Sequence, residues 1–141
     1  MPPRAVAPKT QKATVWLTGL PSAGRTTLAR FLGGLAGNGV LSVVPVIAPY
    51  ADSREAVRLR HAKSGTPCIE VHVPTPVEVC RERDVKGLYA RQAAGELSAL
   101  TGVDDAYEAP VGPELVRTTQ DRRPPDSADA VYAAPAERGL V

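Results

Sequence analysis

A glycine-rich loop between a predicted strand and a predicted helix is the feature that most constrains this chain. The loop, Gly19-Leu20-Pro21-Ser22-Ala23-Gly24-Arg25-Thr26, follows the apolar run Ala13–Thr18 and leads into a helical pattern. It matches G-x-x-x-x-G-K-[ST] except that Arg25 replaces the lysine. In such a loop successive backbone N–H groups surround a phosphate, and the helix start adds a positive dipole end. The pattern predicts a phosphate-binding loop; the alternative is a glycine-rich turn that binds nothing.

The end of the loop carries the groups that are expected to meet phosphate and metal. Thr26 is predicted to bind a magnesium ion held between phosphates, and Thr27 extends the nucleotide-binding stretch. The Arg25 guanidinium is planar, longer than a lysine side chain and suited to two acceptors side by side. We therefore expect Arg25 to contact phosphate from a different position than lysine takes.

Apolar runs and helical patterns alternate along the rest of the chain. The predicted strands are Ala13–Thr18, Val40–Ala48 and Cys68–Val73, and the predicted helices are Thr26–Gly37, Asp52–Lys63, Pro76–Asp84 and Leu88–Leu100. In the first helix Leu28, Phe31, Leu32 and Leu35 have the spacing of one apolar face. Pro45 removes a ladder donor, which indicates a sheet edge or a bulge. The alternation predicts an α/β fold with a mainly parallel sheet.

Length and charge limit the remaining possibilities. A chain of 141 residues has room for one small domain. Its 17 basic and 15 acidic residues leave a net charge of +2, which indicates neither nucleic acid nor a membrane surface as a partner. The absence of a long apolar run and of a secretory signal predicts a cytoplasmic protein. Residues 1–12 are predicted to be a flexible arm and residues 119–141 a disordered tail, which leaves 13–118 as the domain.

The histidines and cysteines allow a metal-site hypothesis that their spacing does not favour. His61, His72, Cys68 and Cys80 form neither a C-x-x-C nor an H-x-x-x-H pattern. Two cysteines also cannot define a disulfide framework. Packing roles are therefore predicted for all four side chains.

Three stretches of the chain together resemble the adenylylsulfate (APS) kinases. They are VWLTGLPSAGRTTLARFL in the first strand and loop, Arg83-Asp84-Val85-Lys86-Gly87-Leu88-Tyr89, and Thr101-Gly102-Val103-Asp104-Asp105-Ala106-Tyr107-Glu108-Ala109-Pro110. The resemblance covers about residues 13–118. It implies a three-layer P-loop nucleotide-kinase-like fold with a reduced, mainly parallel sheet. It also implies ATP-dependent phosphorylation of the 3′-hydroxyl of APS to give PAPS, with magnesium, in sulfate assimilation.

The resemblance also implies roles for individual residues. Arg83 would lie against the ATP base, with Thr101 and Pro110 near the adenine. Lys86 would reach the phosphates or APS as a catalytic group, Gly87 and Leu88 would line the substrate pocket, and residues 84–94 would form a mobile lid. Without the resemblance, the charges of residues 81–86 are typical of a solvated helix end.

The chain departs from the family pattern in the substrate region. Ala48 stands at the family's serine position and has no nucleophile, Leu100 replaces an aromatic that would stack on APS, and Ala51 replaces an arginine. Arg54 remains as a candidate substrate-binding residue and Asp52 as a weak candidate for orienting the hydroxyl. A strand with an acidic motif is missing near residues 33–40, so an exposed apolar flank covered by a second copy of the chain is predicted.

These departures leave three functions open. The chain is an APS kinase, an ATP-binding pseudoenzyme without turnover, or a kinase that phosphorylates a different small hydroxyl acceptor. Arg25, Ala48 and the missing acidic strand favour the pseudoenzyme, whereas Leu100 and Ala51 favour a different acceptor over APS.

Overall fold

The fold is a parallel sheet with helices on both faces, seen in a computed structural model that describes residues 13–36 and 41–140. The strands are β1 (Ala13–Thr18), β2 (Leu41–Val46), β3 (Cys68–His72) and β4 (Leu115–Val116). The helices are α1 (Arg25–Ala36), α2 (Ala51–Ser64), α3 (Val77–Arg83), α4 (Leu88–Ala93) and α5 (Pro124–Glu137). The predicted arm of residues 1–12 lies outside the described residues, as do residues 37–40 of the predicted deletion.

The sheet has the strand order β2-β1-β3-β4, and all three pairings are parallel. β2 lies at one edge, as its Pro45 predicted, because an edge strand tolerates a missing ladder donor. β4 is a two-residue strand that the sequence pattern did not indicate. The α/β class and the mainly parallel sheet are confirmed.

Alternate strand residues divide the molecule into three layers. Val15, Leu17, Ile69 and Val71 belong to one apolar core, which includes Leu28 of α1 together with Ala128 and Val131 of α5. The other face carries polar contacts to α2, in which His61 bonds to Thr14 and Arg58 pairs with Glu70. The period of two along each strand produces this division.

The prediction of a disordered tail after residue 118 is wrong. α5 begins at two prolines, which suit the first turn of a helix because their missing N–H groups have no intrahelical acceptor there. Ala128, Val131 and Ala134 are spaced to form one buried stripe. α5 packs mainly on α1, so small residues rather than large ones close this layer.

Two helix predictions also change. The helix predicted over Leu88–Leu100 ends at Ala93, where Gly95 with φ +76° turns the chain. Phe31 was placed on the buried face of α1 but is 42% exposed, whereas Leu28 is 1% exposed. Leu28 belongs to the apolar core that α5 shares, and Phe31 does not. Within the described residues, no helix has the length and apolarity needed to cross a membrane.

Candidate functional site

The glycine-rich loop forms a tight turn that joins the carboxyl end of β1 to the start of α1. Ser22 has φ +62° and Gly24 has φ +98°, and the Ala23 amide donates to the Leu20 carbonyl at 3.1 Å. A Cβ on Gly19 would lie 2.6 Å from the Val73 carbonyl oxygen. The loop therefore needs glycine at position 19 for close approach and at position 24 for its backbone angle.

The loop forms one wall of a pocket of about 270 Å³ at the carboxyl end of the sheet. The pocket is lined by Pro21, Ser22, Ala23, Gly24, Arg25, Thr26, Thr27, Arg30, Ile47, Val85, Lys86 and Leu88. It therefore unites the predicted phosphate loop with Lys86 and Leu88, although sixty residues of sequence separate them. Arg30 was missed because it reads as an exposed helix residue. The lining holds three cations and no carboxylate, which suits an anionic ligand.

Arg25 is folded against its own loop. Its Nη2 donates to the Leu20 carbonyl at 3.3 Å, and its Nε is buried without a hydrogen-bond partner among the described residues. Burial lowers the pKa of the guanidinium from its usual value. A buried N–H without an acceptor is costly, so an anion that reached this nitrogen would relieve a local defect.

The segment after α3 rests on the loop at two points. The Val85 amide donates to Ser22 Oγ at 3.1 Å, and the Tyr89 hydroxyl donates to the Pro21 carbonyl at 2.7 Å. Asp84 holds the turn between them, because its carboxylate accepts from the amides of Tyr89 and Ala90 at the start of α4. Gly87, with φ +70°, immediately precedes that helix. The predicted lid segment thus covers the phosphate loop in this structure.

A second pocket, of about 230 Å³, shares part of the loop with the first. Its lining is Ser22, Gly24, Thr27, Leu28, Arg83, Val85, Thr119, Arg122, Pro124 and Ser127. Arg83, predicted beside a nucleotide base, lies here. The sequence analysis missed four of these residues because it predicted a disordered tail over residues 119–141: Thr119, Arg122, Pro124 and Ser127. The Pro-Pro pair followed by apolar residues at helical spacing was the signal that could have located them.

Side-chain hydroxyl groups and backbone carbonyl groups connect this second pocket to the loop. The Ala23 carbonyl accepts from both Thr75 Oγ1, at 2.9 Å, and Thr119 Oγ1. Arg83 Nη1 donates to Thr119 Oγ1 at 2.9 Å and to the Ser22 carbonyl at 3.3 Å. Thr119 therefore links the guanidinium of Arg83 to the backbone of the phosphate loop.

Several predicted site residues lie away from these two pockets. Pro110 and Asp52 line a separate cleft over α2, and Asp52 accepts from the Ser53 amide in the first turn of that helix. Leu100 is 6% exposed and belongs to the apolar core. Thr101 is also buried and is bridged to Asp105. Arg83 thus lines the second pocket and Pro110 the cleft over α2, although the resemblance grouped both with Thr101 around adenine.

Arg54 was expected to bind substrate, and the structure places it differently. It is 3% exposed, its terminal nitrogens donate to the carbonyls of Ala48 and Glu108, and it lies over the Tyr107 ring. These contacts occupy the guanidinium and fix the loop after β2. Ala48 itself has φ +45° and contributes its carbonyl rather than a side-chain nucleophile. Arg54 therefore holds the backbone after β2 in place.

An ion-pair network lies on the α2 face of the sheet. Arg58 makes two hydrogen bonds of 2.6 Å to Glu114 and is 3.6 Å from the buried carboxylate of Glu70. Burial favours the neutral acid, but the bonds from Arg58 and from the Glu70 amide hold the pKa of Glu114 below its usual value. This network attaches β4 and the chain before it to β3.

The candidate metal ligands have other partners. His61 bonds to the Val57 carbonyl and to Thr14, while His72 stacks on Tyr107 with ring centroids 6.0 Å apart. Cys80 is buried in the core, and both cysteines are free thiols. Over residues 13–36 and 41–140, no three His, Cys, Asp or Glu side chains meet as a metal cluster.

Comparison with known proteins identifies the family. The sequence profile for adenylylsulphate kinase matches residues 33–118. An adenylyl-sulfate kinase of Rippkaea orientalis is 33% identical over 180 residues, covering 94% of this chain and 96% of that protein. One of a Synechococcus species is 43% identical over 107 residues, covering 76% of this chain but 59% of that protein.

The alignment with the Rippkaea enzyme is longer than this chain of 141 residues, so the relative carries segments that have no counterpart here. Their place near residues 33–40 stays a prediction. The Mycobacterium tuberculosis APS kinase solved in complex with AMPPNP and APS superposes with a TM-score of 0.82 at 26% identity, covering 89% of this chain and 98% of that chain. The phosphate loop, the lid sequence and these similarities agree, and the chain belongs to the adenylylsulphate kinase family.

Proposed function

We propose that this chain transfers the γ-phosphoryl group of ATP to the 3′-hydroxyl of APS, which gives PAPS and ADP. The observation that carries the proposal is the 270 Å³ pocket in which the phosphate loop meets Lys86 and Leu88. A solved relative that superposes with a TM-score of 0.82 holds an ATP analogue together with APS. The fold, the motif order and the pocket charge all support the same assignment.

ATP takes the glycine-rich loop and the second pocket. Its phosphates accept from backbone N–H groups of residues 22 and 24–26, where the α1 dipole favours negative charge. Arg25 offers its unpartnered Nε to a phosphate oxygen. The nucleoside extends toward Arg83, whose guanidinium is held against the loop by Ser22 and Thr119. A planar guanidinium stacks well on an aromatic base.

The residues present fit a magnesium ion only together with the nucleotide. Thr26 is exposed and lines the pocket, so its hydroxyl is placed to hold the ion against the phosphates. Magnesium sites in kinases usually add one or two carboxylates, and no Asp or Glu lines this pocket among the described residues. When bound, the ion neutralises charge on the β- and γ-phosphates.

The acceptor takes the side of the pocket formed by Lys86, Gly87 and Leu88. Its hydroxyl oxygen forms a bond to the γ-phosphorus while the bond to the bridging oxygen of ADP breaks, and the hydroxyl proton passes to an oxygen of the transferred phosphoryl group. Lys86 compensates the transferring charge, and closure of the segment over the loop excludes water. Direct transfer needs no phosphorylated residue, so the alanine at position 48 is compatible with it.

A second candidate function, nucleotide binding without turnover, is favoured by specific observations. Arg25 is engaged with the Leu20 carbonyl in place of a flexible lysine, and no carboxylate lines the pocket within the described residues. The Asp52 side chain, the candidate for orienting an acceptor, lies in another cleft. A kinase for a different small hydroxyl compound is the third candidate, because Leu100 is buried in the core instead of exposed for stacking.

One experiment separates these functions. The purified chain is incubated with ATP, magnesium and APS, ADP release is followed, and ATP binding is measured by calorimetry. APS-stimulated ADP release is the expected result. ATP binding without ADP release selects the pseudoenzyme, and ADP release that APS does not stimulate selects another acceptor. No binding of ATP would overturn all three.

We further propose that the enzyme acts in the cytoplasm in sulfate assimilation, with small nucleotides as its substrates. A second copy of the chain covers the flank at the β2 edge, where Val44 is 38% exposed beside the prolyl break in the ladder. Sedimentation tests this, because a monomer at micromolar concentration with ordinary cooperative melting contradicts a homodimer.

A further inference from the structure

We propose that the hydroxyl of Ser127, on α5, is a specificity-determining group that hydrogen-bonds to the base of bound ATP. The inference rests on the proposed function, since it takes ATP as the ligand of the phosphate loop. It concerns a residue in the segment after position 118, beyond the stretch that the family profile matches.

Ser127 is a buried polar side chain without a partner. It is 1% exposed, and its Oγ makes no hydrogen bond in the described part of the protein. Buried hydroxyl groups are nearly always hydrogen-bonded, because leaving one unpaired forfeits its hydration. A serine in the first turns of a helix commonly bonds to a nearby backbone group, and this one does not. The missing partner is therefore expected to come from outside the described residues.

The position of Ser127 indicates what that partner is. It lines the 230 Å³ pocket that also contains Ser22 and Gly24 of the phosphate loop. A ligand whose phosphates occupy the loop can fill this pocket only with the group attached to those phosphates. In ATP that group is the nucleoside.

The other walls suit a flat ring with a polar edge. Arg83 presents a planar guanidinium whose orientation is fixed by bonds to Ser22 and Thr119. Leu28, Val85 and Pro124 supply apolar surface. An aromatic base stacks on such surfaces through its faces, and its edge must then find hydrogen-bonding groups. Ser127 is the buried hydroxyl without a partner in this lining.

The decisive variant is Ser127→Ala, which removes only the hydroxyl. Because that group has no partner in the free protein, we expect the variant to melt at the same temperature as the unaltered chain or slightly higher. Affinity for ATP, measured by calorimetry, is expected to fall about three- to tenfold, the loss that accompanies one neutral hydrogen bond. Affinity for inorganic triphosphate, which has no base, is expected to stay the same.

Asp129→Ala serves as the control, because Asp129 is an exposed residue two positions further along the same helix. It should change neither the affinity for ATP nor the affinity for triphosphate.

Equal ATP affinity in Ser127→Ala and the unaltered chain overturns the proposal. An equal loss of affinity for ATP and triphosphate also overturns it, because that would indicate structural damage. If the unaltered chain binds neither ligand, the proposed function itself fails. A chain that binds triphosphate and ATP equally well shows that the base is not recognised, which overturns the Ser127 proposal alone.

Discussion

The hydroxyl of Thr119 accepts a hydrogen bond from Arg83 Nη1 at 2.9 Å and donates one to the carbonyl of Ala23 in the phosphate loop. One oxygen atom thus acts as acceptor and donor at the same time, as a hydroxyl group can. The contact joins the segment after β4, the last residue of α3 and the loop at a single point. Its neighbour Thr75 lies 3.0 Å away and shares the same carbonyl.

Replacing Thr119 tests whether this link matters for nucleotide binding. Thr119→Val keeps the shape but removes both bonds, so we expect a loss of about 1–2 kcal/mol in the free energy of unfolding and about a fivefold weaker affinity for ATP. Thr119→Ser keeps the hydroxyl, so it should retain most of the stability and most of the affinity for ATP. Urea unfolding and calorimetry measure the two quantities. Equal affinity for ATP in the valine and serine variants would contradict the role given to Arg83.

Gly24→Ala should disrupt the phosphate loop. The residue has φ +98°, and an added Cβ would lie 2.8 Å from Thr119 Oγ1, so strain and overlap act together. We expect destabilisation of about 2–4 kcal/mol, seen as a clear drop in the melting temperature, with ATP binding lost. Gly112→Ala is the matched control, because a Cβ there meets nothing within 4 Å. Similar melting temperatures for the two variants would show that the loop tolerates a side chain.

Arg25→Lys should raise the rate of turnover more than it changes the affinity for ATP. The substitution removes the buried Nε that has no partner and supplies a compact charge that reaches the phosphates without folding onto Leu20. We expect ADP release at saturating ATP to rise about tenfold, with little change in the affinity for ATP. Arg30→Lys, an equally conservative change in the same pocket, is the control. Turnover that stays undetectable in Arg25→Lys would favour the pseudoenzyme.

Glu114→Gln should remove part of the pH dependence of the chain's stability. The pKa of Glu114 is held below its usual value by Arg58 and the Glu70 amide, so its contribution is complete above the unfolded pKa of about 4.3 and disappears as the pH falls through the lower folded value. We expect the variant to be about 1–2 kcal/mol less stable at pH 7 and nearly equal to the unaltered chain near pH 3. Urea unfolding at both pH values measures this. A constant difference at both would exclude ionisation as the cause.

The sequence was sufficient for the parts of the fold that local periodicity controls. β1 begins at Ala13 and ends at Thr18 as predicted, because a short apolar run bounded by Gly19 has few other stable conformations. The edge position of β2 followed from Pro45. The position of the glycine-rich loop between β1 and α1 followed from its spacing, since the required glycines serve a backbone geometry that hardly depends on the rest of the chain. Its binding of phosphate stays a prediction.

The sequence was insufficient where distant segments decide the outcome. α5 contains three prolines and few large apolar residues, so its local pattern is typical of disorder, yet its small residues pack closely on α1. Arg54 and Asp52 are equally polar in sequence and two residues apart. Only the fold buries Arg54 against the carbonyls of Ala48 and Glu108. It leaves Asp52 in the first turn of α2.

The sequence by itself therefore determined the class of fold, the phosphate loop and the family resemblance, because each depends on residues that are close together along the chain. The tertiary structure alone decided which groups line the two pockets. It brought Lys86 and Leu88 to the loop, placed Pro110 in the cleft over α2 and Leu100 in the apolar core, and added Thr119 and Ser127 from a segment predicted to be disordered. The physical reason is that pocket composition depends on contacts between distant elements, and those contacts are set by how α5 and the sheet pack together.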